Sequence, residues 1–304
     1  MSRRTSRTGT PRSRLSAAAA APAPHAVRPH VLAWSLALAF SVPGALAPAA
    51  AQPVGGVAIH GGMTQATQGN RTVITTTNGA GTAHSAINWQ SFSVPGGTVT
   101  QFNQPSATST VINRVVTPQP TAIFGTLGSN GRVIVVNPAG ITVGAGAVVD
   151  TAGFTASALQ ISEFNAKAGR LQFGDAAGGA SGLVQVDGHV VARAGDVTLI
   201  APQVQTGTSA LVQAPDGSVI LAAGQHAEIT SRGLGGVRLL VQAPSDRAVN
   251  LGRLTADAVG LFASTLRHSG QIDVQAVQAE GGRVELKALE RAEIDGQVTA
   301  RRLQ

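Results

Sequence analysis

The sequence contains no cysteine, so no disulfide holds the fold and no thiolate is available to a metal ion. Aromatic residues make up only 3% of its 304 residues. A core with so few rings must be built from Val, Ile, Leu and Ala, which pack as flat layers. Glycine is abundant, with 37 copies, and from about Gln52 onward short apolar runs alternate with turn residues.

The net charge of +7 would by itself suggest an anionic partner, because clusters of Lys and Arg attract nucleic acids and anionic membranes. Six of the arginines, and no acidic residue, lie within residues 1–51. The rest of the chain carries 16 basic and 15 acidic residues and is close to neutral. The basic character therefore belongs to the leading segment. Basic residues interleaved with aromatics are missing beyond it, so we expect no nucleic-acid partner.

Residues 1–51 have the three parts of a secretory signal: a basic stretch, an apolar run at 31–42 and a final small-residue site. We expect cleavage between Ala51 and Gln52, and secretion through the periplasm to the cell surface or medium. A membrane anchor is the alternative, but twelve apolar residues fall short of the roughly 20 that cross a bilayer. We therefore expect no stable membrane span. The basic stretch is long, so the true start codon is an open question.

Beyond the leader, no segment has a sustained apolar period of 3.6 residues, which predicts a nearly all-β protein. Glycine-led strands recur with first valines at Val197, Val219, Val237 and Val284, and an intermediate copy is expected near Val259. An irregular period near 20 residues indicates a solenoid rather than a sandwich or a barrel. The sequence therefore predicts a right-handed, single-stranded parallel β-helix over residues 91–304.

A solenoid exposes an unpaired sheet edge at each end, and such an edge invites aggregation unless it is covered. The irregular segment 52–90 is predicted to be the amino-terminal cap, with the ring of Trp89 closing the first turn. The last residues read as part of another repeat. We therefore expect the chain to be the front of something longer, or the product of a truncated gene.

Catalytic and cofactor motifs are not evident in the sequence. The five histidines beyond the leader are far apart and, without cysteine, give no zinc spacing; they are His60, His84, His189, His226 and His268. Gly144 and Gly146 begin like a dinucleotide loop but lack its third glycine and following helix. Asp-Gly pairs at 216–217 and 295–296 are typical of corners. We expect no enzyme activity, no metal and no cofactor.

Residues 88–162 resemble the secretion domain of two-partner-secreted exoproteins, the haemagglutination-activity domain at the front of filamentous haemagglutinins and related haemolysins. The similarity is carried by the order and spacing of several blocks: residues 88–94, 99–106, 111–115, 123–131, 133–147 and 153–157. Within these blocks we single out six residues as the family signature: Asn103, Gln104, Pro105, Ser106, Asn113 and Arg114. Looser repeats continue over residues 183–304.

The family's best-known motif is Asn-Pro-Asn-Gly-Ile, and the corresponding residues here are Asn137, Pro138, Ala139, Gly140 and Ile141. Alanine replaces the second asparagine. Pro138 presets φ for a tight turn, Asn137 can accept a local backbone hydrogen bond, and Gly140 permits an unusual φ. The turn is thus expected to survive the change at Ala139.

The resemblance implies a non-enzymatic secretion domain that is recognised by an outer-membrane β-barrel transporter with periplasmic peptide-binding domains. A host-cell surface or a carbohydrate is a further expected partner. Two alternatives stay open: the passenger of an autotransporter adhesin, and a β-helical carbohydrate-active enzyme, which would need a catalytic row on consecutive coils. Adhesin, cytolysin and toxin-delivery stalk are not separated by the sequence.

Overall fold

A computed structural model describes residues 52–174, 182–241, 245–276 and 282–302. The predicted leader and Ala51 lie outside these ranges, whereas Gln52 is the first described residue. Within the described ranges, none of the helices has the length and apolar character needed to cross a bilayer.

The first twelve strands lie before the first helix; they are β1 (Val57–His60), β2 (Gly62–Gln68), β3 (Arg71–Thr77), β4 (His84–Trp89), β5 (Val99–Asn103), β6 (Thr110–Val115), β7 (Thr121–Ile123), β8 (Thr126–Ser129), β9 (Arg132–Val136), β10 (Ile141–Val143), β11 (Val148–Thr151) and β12 (Gly153–Ser157). The helix α1 (Glu163–Ala168) follows. The remaining strands are β13 (Leu171–Phe173), β14 (Leu183–Val186), β15 (His189–Ala192), β16 (Val197–Ala201), β17 (Gln203–Thr206), β18 (Leu211–Ala223), β19 (His226–Ile229), β20 (Val237–Leu240), β21 (Arg247–Asn250), β22 (Arg253–His268), β23 (Gln271–Ala276), β24 (Arg283–Ile294) and β25 (Gln297–Arg302). A 3-10 turn, Leu234–Gly236, precedes β20.

The strands wind into a parallel β-helix with three faces, which confirms the predicted fold class. Face A contains β3, β5, β8, β11, β15, β23, β25 and the first parts of β18 and β22. Face B contains β4, β6, β9, β12, β16, the last part of β18, the middle of β22 and the first part of β24. Face C contains β7, β10, β14, β17, β21 and the last parts of β22 and β24. Each coil hydrogen-bonds to the next, which satisfies the backbone along the axis. The right-handed sense of the winding stays a prediction.

The interior is a set of mainly aliphatic columns that run from coil to coil. On face B, Val111, Val133, Phe154, Val197 and Val219 occupy successive coils in register, and each is at most 1% exposed. Full burial of one such aliphatic side chain contributes about 1.5–3 kcal/mol. Stacking of apolar residues on apolar residues, mostly valine on valine with Phe154 in one coil, therefore holds adjacent coils together.

Of the four valines predicted to begin equivalent repeats, three occupy equivalent positions in successive coils, and so does the predicted intermediate copy at Val259. Val197, Val219, Val259 and Val284 are register partners on neighbouring strands of face B. The assignment of Val237 to this column is wrong, because Val237 begins β20, which pairs antiparallel with β19 outside the helix. After Ala223 the chain leaves the helix to form β19 and β20 and returns at β21; we call such a departure an excursion. For this reason Val219 and Val259 are 40 residues apart in sequence but are register partners on neighbouring strands.

Two excursions from the helix meet to form what we call the inserted sheet, made of β13, β19 and β20. All its pairings are antiparallel. The sheet and α1 cover the outer surface of face B, where a second apolar cluster, the outer core, includes Ile112, Ile134, Ile200 and Ile220. This cover explains why face B strands are buried on both sides, as in the all-buried pattern of β16. The sequence pattern did not predict this layer.

The helix α1 has clear local causes despite its length of six residues. The Ser162 side chain caps its amino terminus by accepting a hydrogen bond from the Asn165 amide, and Gly169 ends it in a left-handed conformation. A periodicity search over a dozen positions misses a helix this short. The serine and glycine seven residues apart were the signal that could have found it.

The amino-terminal end of the helix differs from the rest in strand direction. Strand β2 pairs antiparallel with β3, and β1 pairs antiparallel with β4. Three buried rings fill the interior below them: Trp89 and Phe92 meet edge to face at 5.6 Å between ring centroids, and Phe92 stacks on Phe102 at 6.1 Å. The side chain of Gln52 accepts a hydrogen bond from Thr72, which fastens the first described residue to β3.

Candidate secretion signature

The motif turn at residues 137–140 joins face B to face C and is held by its own asparagine. Asn137 is fully buried, and its side-chain nitrogen Nδ2 donates to the Gln119 carbonyl at 2.8 Å and to the Thr121 hydroxyl at 2.9 Å. Its side-chain oxygen accepts from the Ala139 amide at 3.0 Å. The turn closes through a bond of 2.9 Å from the Gly140 amide to the Asn137 carbonyl. Asn137 therefore links its own turn to the preceding coil.

The other motif residues support the same turn. Gly140 has φ of 110°, and a Cβ added there would lie 3.2 Å from the Leu183 carbonyl oxygen of the next coil. Glycine is therefore required both by the backbone conformation and by the close approach of the next coil. Ala139, which is half-buried like Pro138, contributes its backbone amide rather than its side chain. Ile141 resumes the buried interior at 1% exposure.

Gln104 forms a second polar link, at the corner between faces A and B. Its side-chain nitrogen donates to the Ser129 hydroxyl at 2.9 Å and to the Arg132 carbonyl at 2.8 Å, both on the following coil. Its backbone amide and carbonyl exchange bonds of 2.7 and 2.8 Å with the Asn130 side chain. The corner of one coil is thus tied to the corner of the next by side-chain amides.

The neighbours of Gln104 in the signature are surface residues. Asn103, Pro105 and Ser106 are exposed. The Ser106 hydroxyl accepts a bond of 3.1 Å from the Ser109 amide and thereby closes a local turn. Of this block, only Gln104 connects two coils.

Asn113 and Arg114 are adjacent in sequence but point to opposite sides of face B. Asn113 points inward, is fully buried and accepts a bond of 2.9 Å from the Trp89 indole nitrogen. Its amide donates to the Ile134 carbonyl of the following coil at 3.2 Å. Asn113 therefore joins three successive coils inside the apolar core, where an unpaired amide would be costly.

Arg114 points outward and fastens α1 to face B. Its Nε donates to the Ile161 carbonyl at 3.0 Å, and its Nη1 donates to the Asn88 side chain at 2.6 Å. Glu163 of α1 lies 3.9 Å from Nη1 and 2.6 Å from the Lys167 ammonium. Burial lowers the pKa of Arg114, an effect that Glu163 opposes. The hydrogen bond and charge of Lys167 lower the pKa of Glu163.

The signature residues are therefore not gathered into one pocket. Four of them, Gln104, Asn113, Arg114 and Asn137, are buried polar side chains that connect coils or attach the outer layer. Their hydrogen-bond partners could not be predicted from the sequence pattern. Thr121, Asn130 and Ile134 act through hydroxyl, amide and carbonyl groups that only the winding brings within reach.

The motifs that the sequence analysis rejected for chemistry occupy turns or bends. Residues 144–147 form a turn closed by a bond of 3.0 Å from the Ala147 amide to the Gly144 carbonyl. Residues 216–217 lie where β18 passes from face A to face B, and 295–296 separate β24 from β25. Across the described ranges, no three His, Asp or Glu side chains are placed to hold a metal ion.

Comparison with known proteins identifies the class. A family model described as the TPS secretion domain, the two-partner-secretion domain, matches residues 49–300, and the chain belongs to this family. The crystal structure of the HMW1 secretion domain from Haemophilus influenzae superposes with a TM-score of 0.74 at 32% sequence identity, covering 82% of this chain and 67% of that one. A weaker similarity, with a TM-score of 0.47 and 17% identity, is to the crystal structure of the filamentous hemagglutinin secretion domain; it covers 81% of this chain and 99% of that one.

A curated relative is the heme/hemopexin-binding protein of Haemophilus influenzae, which is 32% identical over 105 residues. The match covers 34% of this chain but only 11% of that protein. The similarity therefore concerns one region of a much longer relative. The domain class predicted from residues 88–162 is confirmed.

Proposed function

We propose that this chain is the front part of an exoprotein exported by a cognate outer-membrane β-barrel transporter with periplasmic peptide-binding domains. Membership of the two-partner-secretion family supports this route. In the proposed sequence of events, residues 1–51 are removed after Ala51, the chain engages the transporter unfolded, and it folds outside the cell. The domain itself acts as an export and binding element and carries no catalytic step.

The observation that carries the proposal is that buried polar side chains bridge consecutive coils. Gln104 and Asn113 donate to carbonyl groups of the following coil, and Asn137 donates to the preceding one. None of these bonds can form until both coils have emerged. Each completed bridge, together with the apolar surface buried by the new coil, opposes return of the chain to the periplasm.

The domain boundaries follow from the same scheme. We propose that residues 52–90 form a cap, because β1 and β2 pair antiparallel where a further coil would pair parallel. Residues 91–304 then continue the helix from β3 and β4, which already pair parallel with the next coil, with the signature at 88–162 and further repeats at 183–304. The cap would protect the edge of the first coil while later coils are still being exported.

Export of the chain with and without its transporter tests the route. With the transporter present, we expect the mature protein in the medium. Without it, the protein should accumulate in the periplasm. Equal amounts in the medium in both strains would contradict the proposal.

Two asparagine variants test the bridging argument. Asn137→Ala removes the bonds to Gln119 and Thr121 and should reduce export severalfold. Asn103→Ala changes an exposed asparagine of the same signature and should leave export unchanged. Equal export of both variants would show that the bridge at Asn137 does not assist transport.

Refolding of the purified variants separates folding from recognition. If the bridge acts through folding, Asn137→Ala should refold more slowly than the Asn103→Ala control. The reduction in its refolding rate should then be similar to the reduction in its export. A variant that refolds at the normal rate but is not exported would instead assign the turn to direct recognition by the transporter.

A further inference from the structure

A cleft of about 280 Å³ lies between the outer surface of face B and the inserted sheet. Its floor is formed by face B residues: Thr110, Arg132, Gly153, Thr155, Asp196 and Thr198. Leu171 and Ile229, register partners in the inserted sheet, form its apolar roof. The volume is just below the ~300–1,000 Å³ range of clefts that hold drug-sized ligands, so the cleft suits a small ligand. The cleft thus has the size of a monosaccharide.

The floor interrupts an otherwise apolar column. On successive coils, the outward positions are Ile112, Ile134, Thr155, Thr198 and Ile220. The two threonines are direct register partners on adjacent strands, about 4.8 Å apart along the helix axis, and their side chains lie on the same outer surface of face B. Neither hydroxyl forms a side-chain hydrogen bond within the described part of the chain. Two polar groups therefore face the cleft where isoleucine would extend the outer core.

Arg132 supplies a positive charge on the same floor. Its stem lies across Gly153, since its Cγ is 3.2 Å from the position that a glycine Cβ would take. Its guanidinium has no hydrogen bond or ion pair to any residue that the structure describes. A half-buried, unpaired guanidinium beside free hydroxyls is suited to a carboxylate, which it binds through two parallel bonds.

The acidic residue of the floor limits the charge of the ligand. Both carboxylate oxygens of Asp196 already accept backbone amides, from Ser218 and Gly233, at 2.8 Å each. Arg232 lines the cleft on the side of the inserted sheet. The Arg232 guanidinium donates to the Asp216 carbonyl at 2.6 Å and interacts electrostatically with Asp257, so Arg132 is the unpaired cation among the described residues of the lining. One unpaired arginine beside one aspartate favours a singly charged anion over a phosphate dianion.

We propose that this cleft binds a sugar acid of monosaccharide size, with its carboxylate on Arg132, its hydroxyls on Thr155 and Thr198, and its apolar face against Leu171 and Ile229. The ligand is either the free sugar acid or the end of a glycan chain. Both sources present the same carboxylate and hydroxyl groups to the floor.

Titration of the labelled protein with glucuronate, followed by nuclear magnetic resonance, tests the site. Glucose is the matched neutral sugar, and an oligosaccharide ending in glucuronate represents the glycan source. We expect saturable shifts at the cleft residues with glucuronate, and none with glucose at the same concentration. Tighter binding of the oligosaccharide would assign the site to glycan ends, and equal binding to the free sugar acid. Absence of saturable shifts with both acids, or binding of inorganic phosphate alone, would overturn the proposal.

Variants locate the binding groups. Arg132→Gln should weaken glucuronate binding about tenfold or more, because a charge-assisted pair is lost. Thr198→Val keeps the side-chain shape and should weaken binding severalfold. Arg253→Gln, an exposed arginine on face A, is the matched control and should bind normally. Unchanged melting temperatures establish that the variants are folded. Equal affinity of Arg132→Gln and the control would refute the site.

Discussion

The first coils, residues 84–157, and the later coils, residues 183–302, build the same three faces in different ways. The strands of the first coils have three to six residues, and their interior contains Trp89, Phe92, Phe102 and Phe154. In the later coils β18 and β22 run for 13 and 16 residues, and the described interior columns are Val, Leu and Ala with Ile272. Both regions wind into one continuous helix.

The difference shows two ways of setting register between coils. Aromatic rings of unequal size do not stack like on like, so the first coils are joined by buried amides such as Asn113 and Gln104. Aliphatic columns align by shape, and long strands add backbone bonds on two faces at once. The later coils contain a comparable polar chain, Thr206–Asn250–His268 on face C, and the buried Asp246 carboxylate accepts a hydrogen bond from the Gln225 side chain.

The largest effect is expected at the aromatic interior of the first coils. Trp89→Ala should lower the free energy of unfolding by about 4 kcal/mol, because it empties a large buried volume and leaves the Asn113 oxygen unpaired. Phe262→Ala, at a partly buried ring of the later coils, should cost less. Urea unfolding of both variants checks this order, and a larger loss at Phe262 would reverse our assignment of the two regions.

The polar chain of the later coils provides a second test. Asn250 is fully buried and accepts bonds from the Thr206 hydroxyl at 2.5 Å and the Gly252 amide at 3.2 Å. Asn250→Ala should cost about 2 kcal/mol, because these donors would be left unsatisfied. Gln205→Ala, on the outer surface of the same face, should change stability by less than about 0.5 kcal/mol. Equal costs would mean that the later coils rely on aliphatic stacking alone.

Loss of the Arg114 guanidinium should destabilise mainly the attachment of α1 to face B, and the rest of the helix much less. Arg114→Gln removes the guanidinium bonds to Ile161 and Asn88 and should lower stability by about 1–2 kcal/mol. Amide hydrogen exchange should accelerate over residues 163–169 more than at β6. Arg170→Gln, which removes an exposed guanidinium 5.7 Å from the Phe164 ring, is the control. Uniform acceleration across face B would show instead that Arg114 stabilises the helix itself.

The smallest expected effect is a pH dependence of stability that comes from His60, near the amino-terminal end of the helix. Burial, and the stacked His84 ring at 4.3 Å, lower the pKa of His60 from its usual 6.5. The unfolded chain therefore takes up the proton more readily. Stability from this group is complete above pH 6.5, falls slightly as pH drops below it, and levels off beneath the folded pKa. Melting curves between pH 7.5 and 5 should show a shallower slope for His60→Gln, whereas identical slopes would exclude the effect.

The repeats could be predicted from the sequence because successive coils place the same type of residue, most often valine, at the equivalent interior position. Val197, Val219 and Val284 were recognisable as strand starts, and the turn chemistry around Pro138 and Gly140 agrees with the closed turn. Val237 was misplaced because a glycine-led apolar strand looks the same in a coil and in an antiparallel excursion. Local pattern carries no information about which neighbour a strand will pair with.

The sequence by itself determined the parallel β-helix, since short β-branched strands separated by turn residues can satisfy their backbone and bury one face only by stacking on similar strands. Only the tertiary structure decided where the two excursions go and which groups the polar signature residues meet. Strands β13 and β19 are separated by more than 50 residues and pair because the coils between them return both excursions to face B. The alternation of a strand places Asn113 inside the core and Arg114 outside it, but the winding decides that Asn113 meets Trp89 and that Arg114 meets the Ile161 carbonyl beside α1.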